Sequence, residues 1–215
     1  DMYVRLKKKY GEDILVEVED RKINLAELVV KITKAADNDE IHGIIVQLPL
    51  KDDQGKDIDE ESLNSILRQI PAKKDVDGLN SSEFFIPATA QAINWLLAGY
   101  NVELKGKKIA IVGQGKLVGA PLYELWQSSG YDLTIFDENT SEEMKENLHK
   151  FDIVVSATGA AGIIQSQMLK KGAVVVDAGT ASEGGVIKGD VSAEIRANRN
   201  DLTITPEKGG VGPLT

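Results

Sequence analysis

The chain has 215 residues, enough for one large domain or two small ones. Lysine and arginine number 25 against 34 acids, giving a net charge of −9 that argues against binding a phosphate backbone. A hydrophobic share of 42% suits a packed core, and the absence of cysteine excludes disulfides, thiol nucleophiles and thiolate metal sites. The two histidines, His42 and His149, stand far apart, which argues against a histidine-built metal centre. No apolar run has the length of a membrane span, and no signal peptide is visible, because the start over Asp1–Lys9 has no apolar core after its charges. The default is a soluble cytoplasmic protein; starting at Asp1 directly in a helical pattern, the chain reads as clipped.

The first segments alternate. Met2–Tyr10 is charged and helix-compatible, with Gly11 as a C-cap. Ile14–Val18 is a short β-rich run. Asn24 reads as an N-cap, with Leu25, Leu28, Val29 and Ile32 at helical spacing behind it. Ile41–Leu48 reads as a strand buried on both faces and closed by Pro49, and Asp59–Ile70 as a helix stopped by Pro71. Lys74–Pro87 is loop, and Thr89–Tyr100 a long helix bridging two lobes.

The second half carries a clearer pattern. Lys107–Val112 is a strand, Gly113–Gly119 a glycine-rich turn, and Ala120–Ser129 a helix with Pro121 in its first turn. Strands follow at Asp132–Phe136, Asp152–Ser156, Ala173–Asp177 and Leu202–Thr205, with a helix at Ser141–Lys150. Strand–helix alternation of this kind predicts a doubly wound parallel sheet. The fold class is therefore α/β: a Rossmann-like dinucleotide domain over 106–215, a smaller α/β catalytic domain over 1–88, a bridging helix over 89–105, and a cleft between the lobes.

Gly113, Gly115 and Gly119 let the backbone turn sharply and approach a pyrophosphate, whose charge meets the following helix N-terminus. Gln114, Lys116 and Val118 lie in the same turn. The spacing GxGxxxG is weak alone and is also that of an ordinary strand–helix turn. Asp137, at the end of the next strand, stands where an acid would meet the adenosine ribose hydroxyls, although a solvated loop acid has the same appearance. A carboxylate there accepts from a free 2′-hydroxyl and repels a 2′-phosphate, which leans toward NAD over NADP; the Lys116 charge pulls the other way.

Four stretches occur in order: Gly43-Ile-Ile-Val-Gln47-Leu-Pro-Leu50, Lys74-Asp-Val-Asp77-Gly78, Val118-Gly-Ala-Pro121 after the turn, and Gly209-Gly-Val-Gly-Pro213-Leu-Thr215. Together they resemble the bifunctional methylenetetrahydrofolate dehydrogenase/methenyltetrahydrofolate cyclohydrolase family, from Tyr3 to the end. The resemblance implies oxidation of 5,10-methylenetetrahydrofolate with NAD or NADP, hydrolysis of the methenyl product to 10-formyltetrahydrofolate, no metal, and a homodimer with tetrahydrofolate derivatives as its partners. It implies Lys7 as the catalytic lysine, Gln47 as its hydrogen-bond partner and Asp77 as the holder of the pterin. Tyr3 would stack on the folate, with Val46, Leu48, Pro49, Gly209, Gly210 and Pro213 lining its site, and Thr158, Gly159 and Thr180 would lie near the nicotinamide.

The residues themselves are compatible with these roles. On a helix, Tyr3 and Lys7 share a face. A lysine amine serves as a base when partly desolvated near positive charge, and the methenyl cation supplies that charge. Taken alone, Lys7-Lys8-Lys9 reads as a solvated charge run, Gln47 as a satisfied core amide, and Asp77 as turn chemistry.

The chain departs from the family pattern at Gln114 and Gly115, where an Arg-Ser pair is usual, which puts NADP specificity in question. It departs also at Ala88, Ala90, Asp137-Glu138, Ala181 and Lys208, and it lacks an N-terminal segment and a final helix. Two other functions keep the same fold: a different NAD-dependent oxidoreductase, or a nucleotide-binding protein without chemistry.

Overall fold

The computed structural model describes the backbone of residues 2–80, 84–183 and 186–215 and the side chains of 4–80, 84–180 and 188–215. The chain divides into two compact units, Asp1–Lys74 and Asp75–Thr215.

The first unit holds helices α1 (Met2–Asp13), α2 (Leu25–Ala36) and α3 (Glu60–Leu67). Gly11 lies inside α1 rather than capping it. A side chain there would overlap the Val16 carbonyl oxygen and the Val18 side chain, so glycine lets the chain fold back against the helix. The Val16 amide donates to the Gly11 carbonyl across 2.8 Å. Asn24 occupies the N-cap of α2 without a side-chain bond, whereas Asp59 caps α3 by accepting from the Ser62 amide at 2.8 Å. The Ser62 amide and hydroxyl hold the Asp59 carboxyl below its ordinary range.

Ile14–Val18 and Ile41–Leu48 do not become strands. Their composition suits extended chain, but a strand needs a neighbour for its hydrogen bonds. Ile44 donates to the Lys74 carbonyl at 2.7 Å, and no ladder is built from it among the described residues. Among the described residues of this unit, Leu28, Ile32, Val46, Ile66, Leu67 and Ile70 are the buried apolar side chains.

The second unit carries the parallel sheet. Its elements are α4 (Ala88–Gly99), β1 (Lys108–Val112), α5 (Gly119–Ser128), β2 (Asp132–Phe136), α6 (Ser141–Asn147), β3 (Ile153–Ser156) and β4 (Val174–Asp177). They continue with β5 (Ala181–Glu183), β6 (Val186–Lys188), α7 (Ala193–Asn198) and β7 (Thr203–Ile204). The sheet order is β2-β1-β3-β4-β7, all parallel, with Val112 opposite Phe136 and Ser156. β5 and β6 form a separate antiparallel hairpin.

Alternation along β1 sorts its side chains onto two cores. Ile109 and Ile111 join Ile93, Leu97, Leu122 and Trp126 on the face covered by α4 and α5. Ala110 and Val112 join Phe136, Met144, Leu148 and Ile195 on the face covered by α6 and α7. Both faces are therefore dry, as the near-continuous apolar strands require. α4 is part of this second unit, fixed to α5 by a 3.0 Å bond from the Trp126 indole to Asn94 Oδ1.

The five strands expected in this half all form, with edges shifted by a residue or two. The helix expected over 141–150 closes at Asn147 and continues as a 3-10 turn over Leu148–Lys150. The hairpin and α7 were not legible: each is too short to show a period.

Candidate functional site

In the first unit α1 presents Lys7, which is half-buried while Lys8 and Lys9 are exposed. Its ammonium donates to Gln47 Oε1 at 3.3 Å, joining residues 40 positions apart. The Gln47 amide nitrogen turns back to the Leu48 carbonyl at 3.3 Å, which fixes the oxygen toward the lysine. Gln47 is solvent-exposed, and Val46 beside it is buried. The core-glutamine reading is thereby corrected: with no ladder around it, the segment leaves the amide at the surface, facing α1. The peptide between Leu48 and Pro49 is cis. The Tyr3 side chain lies outside the described residues.

Two neighbours of Asp77 escaped sequence reasoning. The Lys74 ammonium donates to the carbonyls of Ala36 and Asn38, each at 2.8 Å, at the C-terminal end of α2 where a cation is favoured. Asp75 is only 1% exposed. Its carboxylate accepts from the amides of Asn80 at 2.7 Å and Leu79 at 3.3 Å. The acid thus closes the loop on which Asp77 stands, half-buried, in the second unit. The signal was the Lys-Asp-x-Asp-Gly run itself, whose first two members are structural.

The glycine turn is built around close approaches. Gly113 has φ +101°, and its amide donates to the Phe136 carbonyl at 2.7 Å. A side chain on it would overlap the Ala157 carbonyl, and one on Gly119 would overlap the Gly113 carbonyl oxygen. Gly115, by contrast, faces open space. Val118, at the N-cap of α5, offers no side-chain acceptor to the first helical amides. A turn closed on its strand side, open at Gly115 and aimed by an uncapped helix start fits the pyrophosphate of a dinucleotide. Gln114 is exposed and Lys116 half-buried at the same opening.

Asp137 follows β2 and closes a reciprocal cap. Its Oδ1 accepts from the Asn139 amide at 2.9 Å and from the Thr140 amide and hydroxyl at 3.0 Å each. The Thr140 hydroxyl also accepts from the Asp137 amide at 2.8 Å. The Thr140 hydroxyl foremost holds this carboxyl below its ordinary range. Among the described residues Oδ2 is met only by the Asn139 side-chain nitrogen, at 3.5 Å.

Thr158 and Gly159 follow β3 and Thr180 follows β4, at the C-terminal ends of these strands, with Thr158 close to Gly113 of the turn. Gly209, Gly210 and Pro213 lie in the closing segment. There Val211 is buried in the α4 and α5 core, and Gly212–Leu214 form a 3-10 turn. Among the described residues no cluster of His, Asp or Glu is arranged to hold a metal, and no helix is long and apolar enough to cross a membrane.

A parallel sheet whose first strand opens through a tight glycine turn into an uncapped helix, with an ionised acid ending the neighbouring strand, defines a nicotinamide-dinucleotide-binding unit. Comparison with known families extends this to the whole chain. Residues 1–77 match the catalytic domain of tetrahydrofolate dehydrogenase/cyclohydrolase, and residues 87–215 match its NAD(P)-binding domain. A bifunctional protein FolD of Lactobacillus acidophilus is 37% identical over 100% of this chain and 77% of its own length. One from Macrococcus caseolyticus is 34% identical over 99% and 77%.

The fold of the FolD methylenetetrahydrofolate dehydrogenase/cyclohydrolase from Campylobacter jejuni superposes with a TM-score of 0.85 at 30% identity, covering 99% of this chain and 78% of that one. The Trypanosoma brucei enzyme, solved with NADP and an inhibitor, has a TM-score of 0.82 at 27% identity, covering 99% and 77%. The chain belongs to the tetrahydrofolate dehydrogenase/cyclohydrolase family. Its activities are methylenetetrahydrofolate dehydrogenase, with NAD(P), and methenyltetrahydrofolate cyclohydrolase.

Proposed function

We propose that Lys7 handles the proton transfers of the hydrolytic step, that Gln47 orients its amine, and that Asp77 holds the pterin ring. Residues 1–88 form the folate domain, 89–105 the bridge and 106–215 the nucleotide domain. Tyr3, Val46, Leu48, Pro49, Gly209, Gly210 and Pro213 line the folate. The observation that carries the reading is the 3.3 Å bond from the Lys7 ammonium to Gln47, which singles one lysine out of a charge run.

In hydrolysis, water bonds through its oxygen to the methenyl carbon and one carbon–nitrogen bond breaks. The nitrogen set free takes a proton, and the second proton is released. A positive methenyl bridge disfavours an ammonium beside it, so the bound substrate itself shifts a neighbouring amine toward the neutral base. Lys7 then accepts the proton from water and passes one to the leaving nitrogen. Gln47, accepting through Oε1, keeps the amine from swinging into solvent.

When bound, NAD(P)+ supplies the hydride acceptor for the oxidative step. That step needs close approach more than a protein acid or base. Gly113, Gln114, Gly115, Lys116, Val118 and Gly119 cradle the pyrophosphate at the start of α5, Asp137 meets the ribose through Oδ2, and Thr158, Gly159 and Thr180 flank the nicotinamide. An ionised Asp137 favours NAD over NADP. The protein works as a cytoplasmic homodimer with tetrahydrofolate derivatives as its partners and without a metal.

The test is Lys7→Met. Hydrolysis of 5,10-methenyltetrahydrofolate, followed by loss of its absorbance, should fall at least about a hundredfold, with nucleotide affinity unchanged. Hydrolysis at an unaltered rate overturns the assignment.

A further inference from the structure

Two buried acids tie together the ends of β3 and β4, and neither has a part in the steps above. Asp190, between β6 and α7, is 0% exposed. Its Oδ2 accepts from the Ser156 hydroxyl at 2.7 Å and the Thr158 amide at 2.6 Å. Its Oδ1 is buried with no partner among the described residues. The carboxylate occupies the space that a side chain on Gly179 would need.

Asp177 is placed reciprocally. Its Oδ1 accepts from the Asp190 amide at 2.9 Å and the Gly179 amide at 3.2 Å. Its Oδ2 accepts from the Val191 amide at 3.2 Å and pairs with Arg196 at 2.8 Å, and it fills the space beside Gly189. Asp177 therefore has a cation, whereas among the described residues Asp190 has none. A buried acid with an unmade bond and no counter-charge is expensive, and a chain that keeps one holds something in place with it.

What it holds is the loop 156–159. In a doubly wound sheet with the ribose acid on β2 and the pyrophosphate turn on β1, the nicotinamide half falls across the ends of β3 and β4. We propose that Asp190 is a positioning residue for hydride transfer. It sets the Ser156 hydroxyl and the Thr158 amide so that the loop receives the nicotinamide ring, and position 179 is glycine because the carboxylate needs its space. This rests on the reading of the second unit as the NAD(P) site.

The experiment measures, by calorimetry on the full chain, the affinities of NAD+ and NADP+ and of their nicotinamide-free fragments ADP-ribose and 2′-phospho-ADP-ribose. Asp190→Ala should weaken the dinucleotides at least about tenfold and leave the fragments within about twofold, because only the ring senses the loop. Dehydrogenase turnover should fall with it, while methenyltetrahydrofolate hydrolysis stays within about twofold. Asp190→Asn, which keeps one acceptor oxygen, should recover part of the dinucleotide affinity. If Asp190→Ala does not fold, Ser156→Ala removes one of the two bonds and should give a smaller split in the same direction. Equal losses for dinucleotide and fragment, parallel losses of both activities, or no loss at all overturn the proposal. Failure of the unsubstituted protein to bind either dinucleotide or fragment overturns the nucleotide-site reading itself.

Discussion

The Gly113 carbonyl oxygen fills the space where a side chain on Gly119 would begin, so the two ends of the glycine turn touch backbone to backbone. Gly115, between them, faces nothing. The fold thus requires glycine at position 119, while its own packing would leave room for a side chain at position 115. Gly119→Ala should destabilise the second unit by about 2 kcal/mol and abolish nucleotide binding. Gly115→Ala should leave the urea midpoint in place and weaken nucleotide binding alone. Both tryptophans lie in this unit, Trp126 in its core, so their fluorescence follows its unfolding.

Gln47 touches the Lys7 ammonium through Oε1 at 3.3 Å. Gln47→Ala should lower hydrolytic kcat about tenfold or more and shift its pH profile, because the amine loses the acceptor that orients it. Gln47→Glu should also alter the profile, in the other direction, since a carboxylate beside Lys7 favours the ammonium. Identical profiles for wild type and both variants would remove Gln47 from the mechanism.

Asp137 should read the ribose as an anion over the whole working range. Its carboxyl lies below the ordinary range, held there first by the Thr140 hydroxyl. The sign follows from a depressed folded value: the charge and the cap are fully present above the unfolded value near ~3.9 and are lost only as pH falls through the lower folded one. The NAD/NADP preference should therefore stay flat from about pH 8 to about pH 5. Asp137→Ala should narrow that preference, measured as a ratio of kcat/KM values, and also loosen the 138–140 turn. An unchanged ratio would leave the acid with the cap alone.

The Asp177–Arg196 pair is nearly dry, its side chains 3% and 18% exposed. Arg196→Met leaves a buried carboxylate without its cation and should cost the second unit about 3 kcal/mol, read as a lower urea midpoint. The three backbone amides that still donate to Asp177 keep the loss from being larger.

The second unit was legible because its signals are local. Ile109–Val112 and Val174–Val176 are apolar without interruption, which only a strand covered on both faces tolerates. Gly113 directly after such a strand and Pro121 just inside a helix leave few alternatives for the turn between them. The first unit was less legible. Ile41–Leu48 has the composition of a buried strand, but pairing is not a property of one segment, and the described residues of the unit supply no ladder for it.

The site divides the same way. Residue types and their spacing nominated the glycine turn and Asp137, whereas Lys7, Gln47 and Asp77 were nominated only through the family resemblance of the runs that hold them. By residue type alone Lys7 does not differ from Lys8 and Lys9; in the folded chain the bond to Gln47 across 40 positions sets it apart. The folded chain also showed that Lys74 closes the C-terminal end of α2, that Asp75 holds the loop of Asp77, that Asp137 caps the turn after β2, and that Asp190 reaches back to Ser156 and Thr158. A carboxylate written in isolation has the same composition whether it meets solvent, a helix start or a strand 34 residues earlier. Its role is decided by which donors the fold carries to it, and that is a property of packing rather than of order along the chain.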